Sequence, residues 1–432
     1  MRPLLPVLTL LAATAVAGDL TFYVGTSGPA SKGILRGAID LESGRLAEPT
    51  VLAEAKGPSF LALAPDGRTL YATAEVAGGG VAAYRLGADG KAALLNSEDT
   101  KGKGATHVTL DQTGKFLFAA NYGSGSVACL PLKADGSLAP ASSFLQHEGT
   151  GPNKGRQAGP HAHGIYADAA NRFVYVPDLG TDDIFIHAFD AATGTLKPSP
   201  AKSGRVAPGA GPRHLAFHPQ GGFAYVCNEM AMTVSVFAVD ATTGAMKEIQ
   251  VLPTLPAGAE TKGASTAEIF CLPDGKALYV SNRGHNSLAA YAIGADGQLS
   301  PLGHTLDVPA VPRGFGLSPD GRWLVCAGQK SGTLNAYRVD PATGRLTVAD
   351  PATAIAAGTT GNVVLTAAAP GVLNGTDVSL VLTSQALAGT GLSDLTLAPA
   401  TVAITGTAYD LARATHATTA AFANVRVGAQ RT

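Results

Sequence analysis

Tryptophan occurs once, at Trp323, and lysine is absent after Lys330. A redox propeller built around a quinone usually spends more aromatic surface than this, and no strand-turn-helix glycine signal of the Rossmann or P-loop kind is present, so no organic cofactor is expected. Cysteine is equally scarce. Cys129, Cys227, Cys271 and Cys326 form no Cys-x-x-Cys pair and no Cys/His metal spacing. Each sits in an apolar run and reads as a buried thiol, with a disulfide as the alternative in an oxidising compartment. Charge is sparse and balanced, 31 Lys+Arg against 32 Asp+Glu, which leaves no electrostatic footprint for nucleic acid or an anionic membrane. No acidic cluster suggests calcium ligation, so a metal-free site is expected.

Long apolar runs are also missing beyond the first residues. Met1 and Arg2 lead into an apolar stretch from Pro3 to Val16, and Ala15-Val16-Ala17 reads as a small-x-small cleavage site. The stretch is short for a membrane span. The competing reading, a buried N-terminal strand, is set aside because nothing after Ala17 continues the run. Residues 1–17 are therefore expected to be a signal peptide outside the fold, and the chain to be periplasmic or secreted, without a membrane span and monomeric.

What the sequence does have is glycine (53), proline (27) and 46% hydrophobic residues, a composition suited to short strands and tight turns. A turn glycine recurs in Ser43-Gly44, Asp89-Gly90, Asp135-Gly136, Thr193-Gly194, Thr243-Gly244, Asp296-Gly297 and Thr343-Gly344. A second turn falls between these, at Gly67, Gly114, Asn171, Gly221, Gly275 and Gly321, each followed by an apolar run such as Phe173-Val174-Tyr175-Val176. Four antiparallel strands per unit of about fifty residues is the pattern of a propeller blade, because one such sheet cannot bury both faces alone. The fold class predicted is all-β, a seven-bladed β-propeller over residues 18–370. The first unit begins at its second strand, Leu20–Gly25, so its inner strand is expected from beyond the seventh unit, with Asn362–Ala367 as the candidate. Residues 371–432 form a divergent Ala/Thr-rich tail, read equally as a small β appendage or as disordered.

The repeat also predicts a site. Residues equally spaced before and after a hairpin turn share one end of the sheet. Eight before the second turn stand Ser59, Thr106, His163, Arg213, Ala267 and Arg313; eight after stand Glu75, Tyr122, Leu179, Glu229, Arg283 and Gln329. Inner strands line a propeller's axis, so these residues should ring the channel mouth. Among them His163, Arg213, Glu229 and Arg283 come from three consecutive units. Individually each has a plain structural reading, a satisfied histidine, a salt-bridge partner or a loop brace. Together they suit ester chemistry: a carboxylate and an imidazole move protons near neutral pH, and guanidinium groups hold an anion or a developing oxyanion.

Several motifs occur in one order at blade spacing. They are Ala119-Ala-Asn121-Tyr-Gly-Ser-Gly, Thr150-Gly-Pro-Asn-Lys-Gly-Arg156-Gln157, Gly159-Pro-His161-Ala-His163, Gly211-Pro-Arg213, Asn228-Glu229 and Ser281-Asn-Arg283. Over roughly residues 20–350 the chain resembles the propeller family of 6-phosphogluconolactonases and carboxymuconate-lactonising enzymes. That resemblance implies His163, Arg213, Arg283 and Glu229 as catalytic residues, with His161, Arg156, Gln157 and Asn121 as substrate contacts. It implies a metal-independent lactonase acting on a sugar-derived or carboxylated lactone, and no cofactor. In that expectation Arg213 and Arg283 orient the substrate while Glu229 and His163 manage water and the leaving proton. The alternative is a non-catalytic exported propeller that binds a small anionic ligand or a partner protein.

Overall fold

Hydrophobic alternation and left-handed turns together dictate the architecture. The computed structural model describes residues 7–9, 18–27, 31–74, 79–201, 203–306 and 308–349, and further on 371–380, 383–384, 395–396 and 400–408. Every turn glycine between third and fourth strands, from Gly44 to Gly344, has φ between 69° and 79°, and the second set of turns is left-handed as well, Asn171 included at 57°. That region penalises a Cβ, which is why glycine or asparagine stands there.

These turns fold the chain into seven antiparallel sheets in chain order. Blade 1 comprises Val7–Thr9, Asp19–Gly25, Ile34–Asp40 and Thr50–Ala53; blades 2 to 7 span residues 61–99, 105–146, 166–205, 212–253, 265–305 and 312–348. Six have four strands; blade 4 adds a short fifth, Gly204–Arg205. The inner strand of blade 1 is Val7–Thr9, from within the segment expected to be a signal peptide, and its partners are Tyr23, Val24 and Gly25. Asn362–Ala367, the segment expected in that role, lies outside the described residues.

Seven hydrophobic clusters lie between the sheets. One joins Leu20, Phe22, Val24 and Ile39 of blade 1 to Trp323, Val325, Ala327 and Ala336 of blade 7, and so closes the ring. Polar struts follow the same rotation. A second-strand tyrosine donates its hydroxyl to the turn-glycine carbonyl of the next blade: Tyr71 to Gly136, Tyr175 to Gly244, Tyr225 to Gly297 and Tyr279 to Gly344, at 2.7–3.1 Å. In blade 3 the position is Phe118 and the strut is lost; at the closure Trp323 Nε1 donates to the Leu41 carbonyl of blade 1 instead. Each strut satisfies a polar group that burial would otherwise leave costly.

The four cysteines are free thiols. The chain divides into two compact units, residues 1–351 and 352–432. The second contains an antiparallel pair, Gly371–Leu380 with Ala400–Ala408, and a shorter pair, Thr383–Ser384 with Leu395–Thr396. No helix among the described residues is long and apolar enough to cross a membrane.

Candidate active site

Inner strands carry β-bulges where the repeat placed the mouth residues. Pro212 pairs with Asn228 and His214 with Cys227, leaving Arg213 as the extra residue. Thr106 and Arg313 are the corresponding extra residues of blades 3 and 7, and blade 6 has a wider irregularity at Ala267 and Glu268. A bulge re-aims a side chain that regular pleating would bury between sheets, here toward the axis. Ser59, Thr106, Tyr122, His163, Glu229, Arg283 and Arg313 accordingly line one cavity of about 880 Å³, together with Arg156 and small residues of the strand ends.

Glu229 is the electrostatic centre. Its Oε1 accepts from Arg156 Nη2 at 2.8 Å, and its Oε2 accepts from Arg283 Nη2 at 2.9 Å. Arg213 Nε lies 3.0 Å from the same Oε2, as a charge contact rather than an aligned hydrogen bond. Burial alone would push this carboxyl up, but Arg283, Arg213 and Arg156 outweigh it and hold it down to about 2. Glu229 is therefore a fixed anion across the physiological range, and a weak base.

His163 shares the cavity but touches no carboxylate. Its backbone N–H donates to the Pro177 carbonyl, its ring meets Tyr122 edge-on at 5.2 Å between centroids, and its Nδ1 is buried without a partner. Burial, then the charges of Arg213, His214 and Arg313, lower it well below the usual histidine range. The ring is therefore neutral at pH 7, and the same burial and charges make it a weaker base than a free imidazole.

Arg213 is placed differently from expectation. Only 2% of its side chain is exposed, and it does not line the cavity. It lies beneath, against His214 and the Ala267 carbonyl, and braces Glu229 from below. Arg283 and Arg156 line the cavity in its place. Below Arg213, His214 Nδ1 is 2.7 Å from Glu268 Oε1, and the other Glu268 oxygen is buried without a partner. Burial pushes the Glu268 carboxyl up to about 8. His107 and His214 stack edge-on at 5.2 Å, with Phe60 against both, and plug the axis under the site.

Of the four expected contacts, Arg156 lines the cavity and the other three stand behind it. Gln157 is fully buried; its amide donates to the Leu179 carbonyl and to Asp182, and its Oε1 accepts from Asn153 N–H, folding the loop that carries Arg156. Asn121 is spent on Thr100 and Ser126 at a strand end. His161 stacks on Tyr122 at 4.4 Å and donates through Nδ1 to its carbonyl, so it positions a wall of the cavity. The segment around it is clamped by Asp178, which accepts from the N–H groups of His161 and Gly180. Gly180 must be glycine here, since a Cβ would fall 2.0 Å from the Gly159 carbonyl oxygen. Arg313 and Tyr122 belong to the site although only their repeat phase announced them. Glu75, in the same phase, lies outside the described residues. No group of three or more His, Cys, Asp or Glu side chains among the described residues is arranged to hold a metal ion.

A guanidinium-rich, enclosed mouth beside a neutral imidazole can bind an anion, stabilise an oxyanion and accept a proton from water. Comparison with known proteins points the same way. The family model described as lactonase, 7-bladed beta-propeller, matches residues 21–364. A Bacillus subtilis 6-phosphogluconolactonase is 34% identical over 330 residues, covering 76% of this chain and 93% of the relative. Among solved structures, a putative 6-phosphogluconolactonase from Bacteroides fragilis superposes with a TM-score of 0.71 at 32% identity, over 78% of this chain and 95% of that one. A periplasmic gluconolactonase from Pseudomonas aeruginosa gives 0.70 at 32% identity, over 76% and 94%.

Proposed function

Because the chain belongs to the seven-bladed β-propeller lactonase family, we propose that it hydrolyses a sugar-derived or carboxylated lactone at the channel mouth, without a metal ion. One observation carries this reading: Arg156 and Arg283 pair with the ionised Glu229 in the cavity that the unprotonated His163 also lines, and Arg213 braces Glu229 from outside it.

The roles follow from charge and access. Arg283 and Arg156 line the cavity and hold the lactone carbonyl, stabilising the oxyanion that forms when water adds to its carbon. His163 accepts the proton of that water. Collapse of the tetrahedral intermediate breaks the bond to the ring oxygen, which takes a proton from the imidazolium and leaves as a hydroxyl; the product is the open hydroxy acid. Glu229, whose oxygens are engaged by three arginines, orients them, and Arg213 locks Glu229.

Export belongs to the same proposal. Arg2, the apolar run Pro3–Val16 and the Ala15–Ala17 site support it, and one relative of similar fold is a periplasmic gluconolactonase. Cleavage there removes Val7–Thr9, so an exported form must cover the Tyr23–Gly25 edge with another segment.

The test is proton release in a pH-stat from a panel of lactones, corrected for spontaneous opening. Turnover of at least one sugar or carboxylated lactone is expected; no turnover of any would leave a binding propeller.

A further inference from the structure

The four mouth arginines are not equivalent. Arg156 donates to Glu229 and Tyr122, Arg283 to Glu229 and the Thr266 carbonyl, and Arg213 contacts Glu229 and the Ala267 carbonyl. Arg313 has no hydrogen bond and no carboxylate partner among the described residues, yet it lines the same cavity. Its backbone is the bulge between Pro312 and Gly314, which turns the side chain to the axis. Blade 7 stands across the ring from blades 3 and 4, which bring Tyr122 and His163.

Resting on the lactonase reading above, we propose that Arg313 is the specificity-determining residue of this site, receiving a phosphate or carboxylate that the lactone carries away from its ring carbonyl. Arg313 is half-buried at the cavity wall, and an anionic ligand group entering the cavity would give its guanidinium a charge-assisted partner. The charge balance agrees. Four guanidinium groups surround one ionised carboxylate, since burial keeps Glu268 protonated up to about 8, and the mouth carries surplus positive charge. Burial and the neighbouring Arg213 and Arg283 lower Arg313 itself to about 9, more than Glu229 and Glu268 offset. A loop brace would show a carbonyl or carboxylate acceptor, as its three neighbours do.

The experiment compares kcat/KM for 6-phosphogluconolactone, a lactone bearing a carboxylate, and neutral gluconolactone in the wild type and in Arg313→Met. The ratio of anionic to neutral substrate falls about 30-fold or more, the equivalent of one charge-assisted hydrogen bond. Whichever anionic arm collapses identifies phosphate or carboxylate as the group received. An equal loss on all three substrates, or an unchanged ratio, overturns the assignment. If the methionine variant does not fold, Arg313→Lys serves: a point charge without the planar fork lowers the ratio about fivefold, and an unchanged ratio again overturns it. Calorimetric titration with inorganic phosphate and, separately, with acetate decides independently of turnover. Binding of either anion that Arg313→Met abolishes supports the assignment even if every lactone is inert, in which case only the hydrolase reading fails; binding of both that is absent in the wild type, or equal in both proteins, contradicts it.

Discussion

Arg156 Nη2 lies 2.8 Å from Glu229 Oε1, although 73 residues separate the two in the chain. One comes from the loop before blade 4 and the other from the end of a blade 5 strand, and the packing of these successive blades brings them together. Replacing Glu229 with glutamine leaves three guanidinium groups without their shared anion. Removing one partner of a buried pair typically costs 3–5 kcal/mol, so Glu229→Gln should lower the unfolding midpoint and cut kcat about a hundredfold or more. Thermal unfolding and steady-state kinetics on the same sample check both.

The same carboxylate sets the acid limb of stability. Its folded pKa, about 2, lies below its ordinary 4.5, so its contribution is fully present above about pH 4.5 and disappears as pH falls toward 2. At about 1.4 kcal/mol per pH unit this amounts to roughly 3 kcal/mol. Urea midpoints measured down the acid range should show the loss in the wild type and a flatter profile in Glu229→Gln.

Glu268 acts in the opposite direction. Its carboxyl is raised to about 8, so the group favours folding below about pH 4.5 and loses that contribution as pH rises toward 8. Glu268→Gln should therefore be more stable relative to the wild type at about pH 9 than at about pH 5. Denaturant titrations at the two values check the sign; a constant difference would show that Glu268 does not titrate in this interval.

Chelation gives a fourth check. The described site is built of guanidinium, imidazole and a carboxylate already saturated by arginines, so dialysis against EDTA should leave lactone turnover intact. Loss of activity that returns with calcium would contradict the metal-free account.

The N-terminus yields a fifth. Export predicts a periplasmic chain that begins at Gly18, readable by intact-mass measurement of the fractionated protein. A chain that retains Arg2 would instead make Val7–Thr9 a permanent strand of blade 1.

The blades were legible in the sequence because turns need left-handed residues, and glycine at Gly44, Gly136 or Gly344 records that need directly. The mouth was legible through phase, which brought His163, Glu229 and Arg283 into one cavity. Phase could not separate Arg213 from Arg313, since both occupy the bulge position and differ only in what lies beside them: Glu229 and Ala267 for one, open cavity for the other. Nor could it tell that Asn121 and Gln157 spend their amides on neighbouring strands and loops. Glu268 and His214 were hidden for a similar reason, being a polar pair closed between apolar strands. The inner strand of blade 1 was not legible because three residues, Val7–Thr9, carry too little pattern to distinguish a strand from part of a leader.

The central claim is that His163 takes the proton of the attacking water. Initial rates in a pH-stat on a lactone turned over by the wild type, repeated with His163→Asn, test it most directly. The account predicts that kcat falls by about 10²–10⁴ while KM changes little and the unfolding midpoint stays close to the wild type. A variant that keeps the wild-type kcat would contradict it.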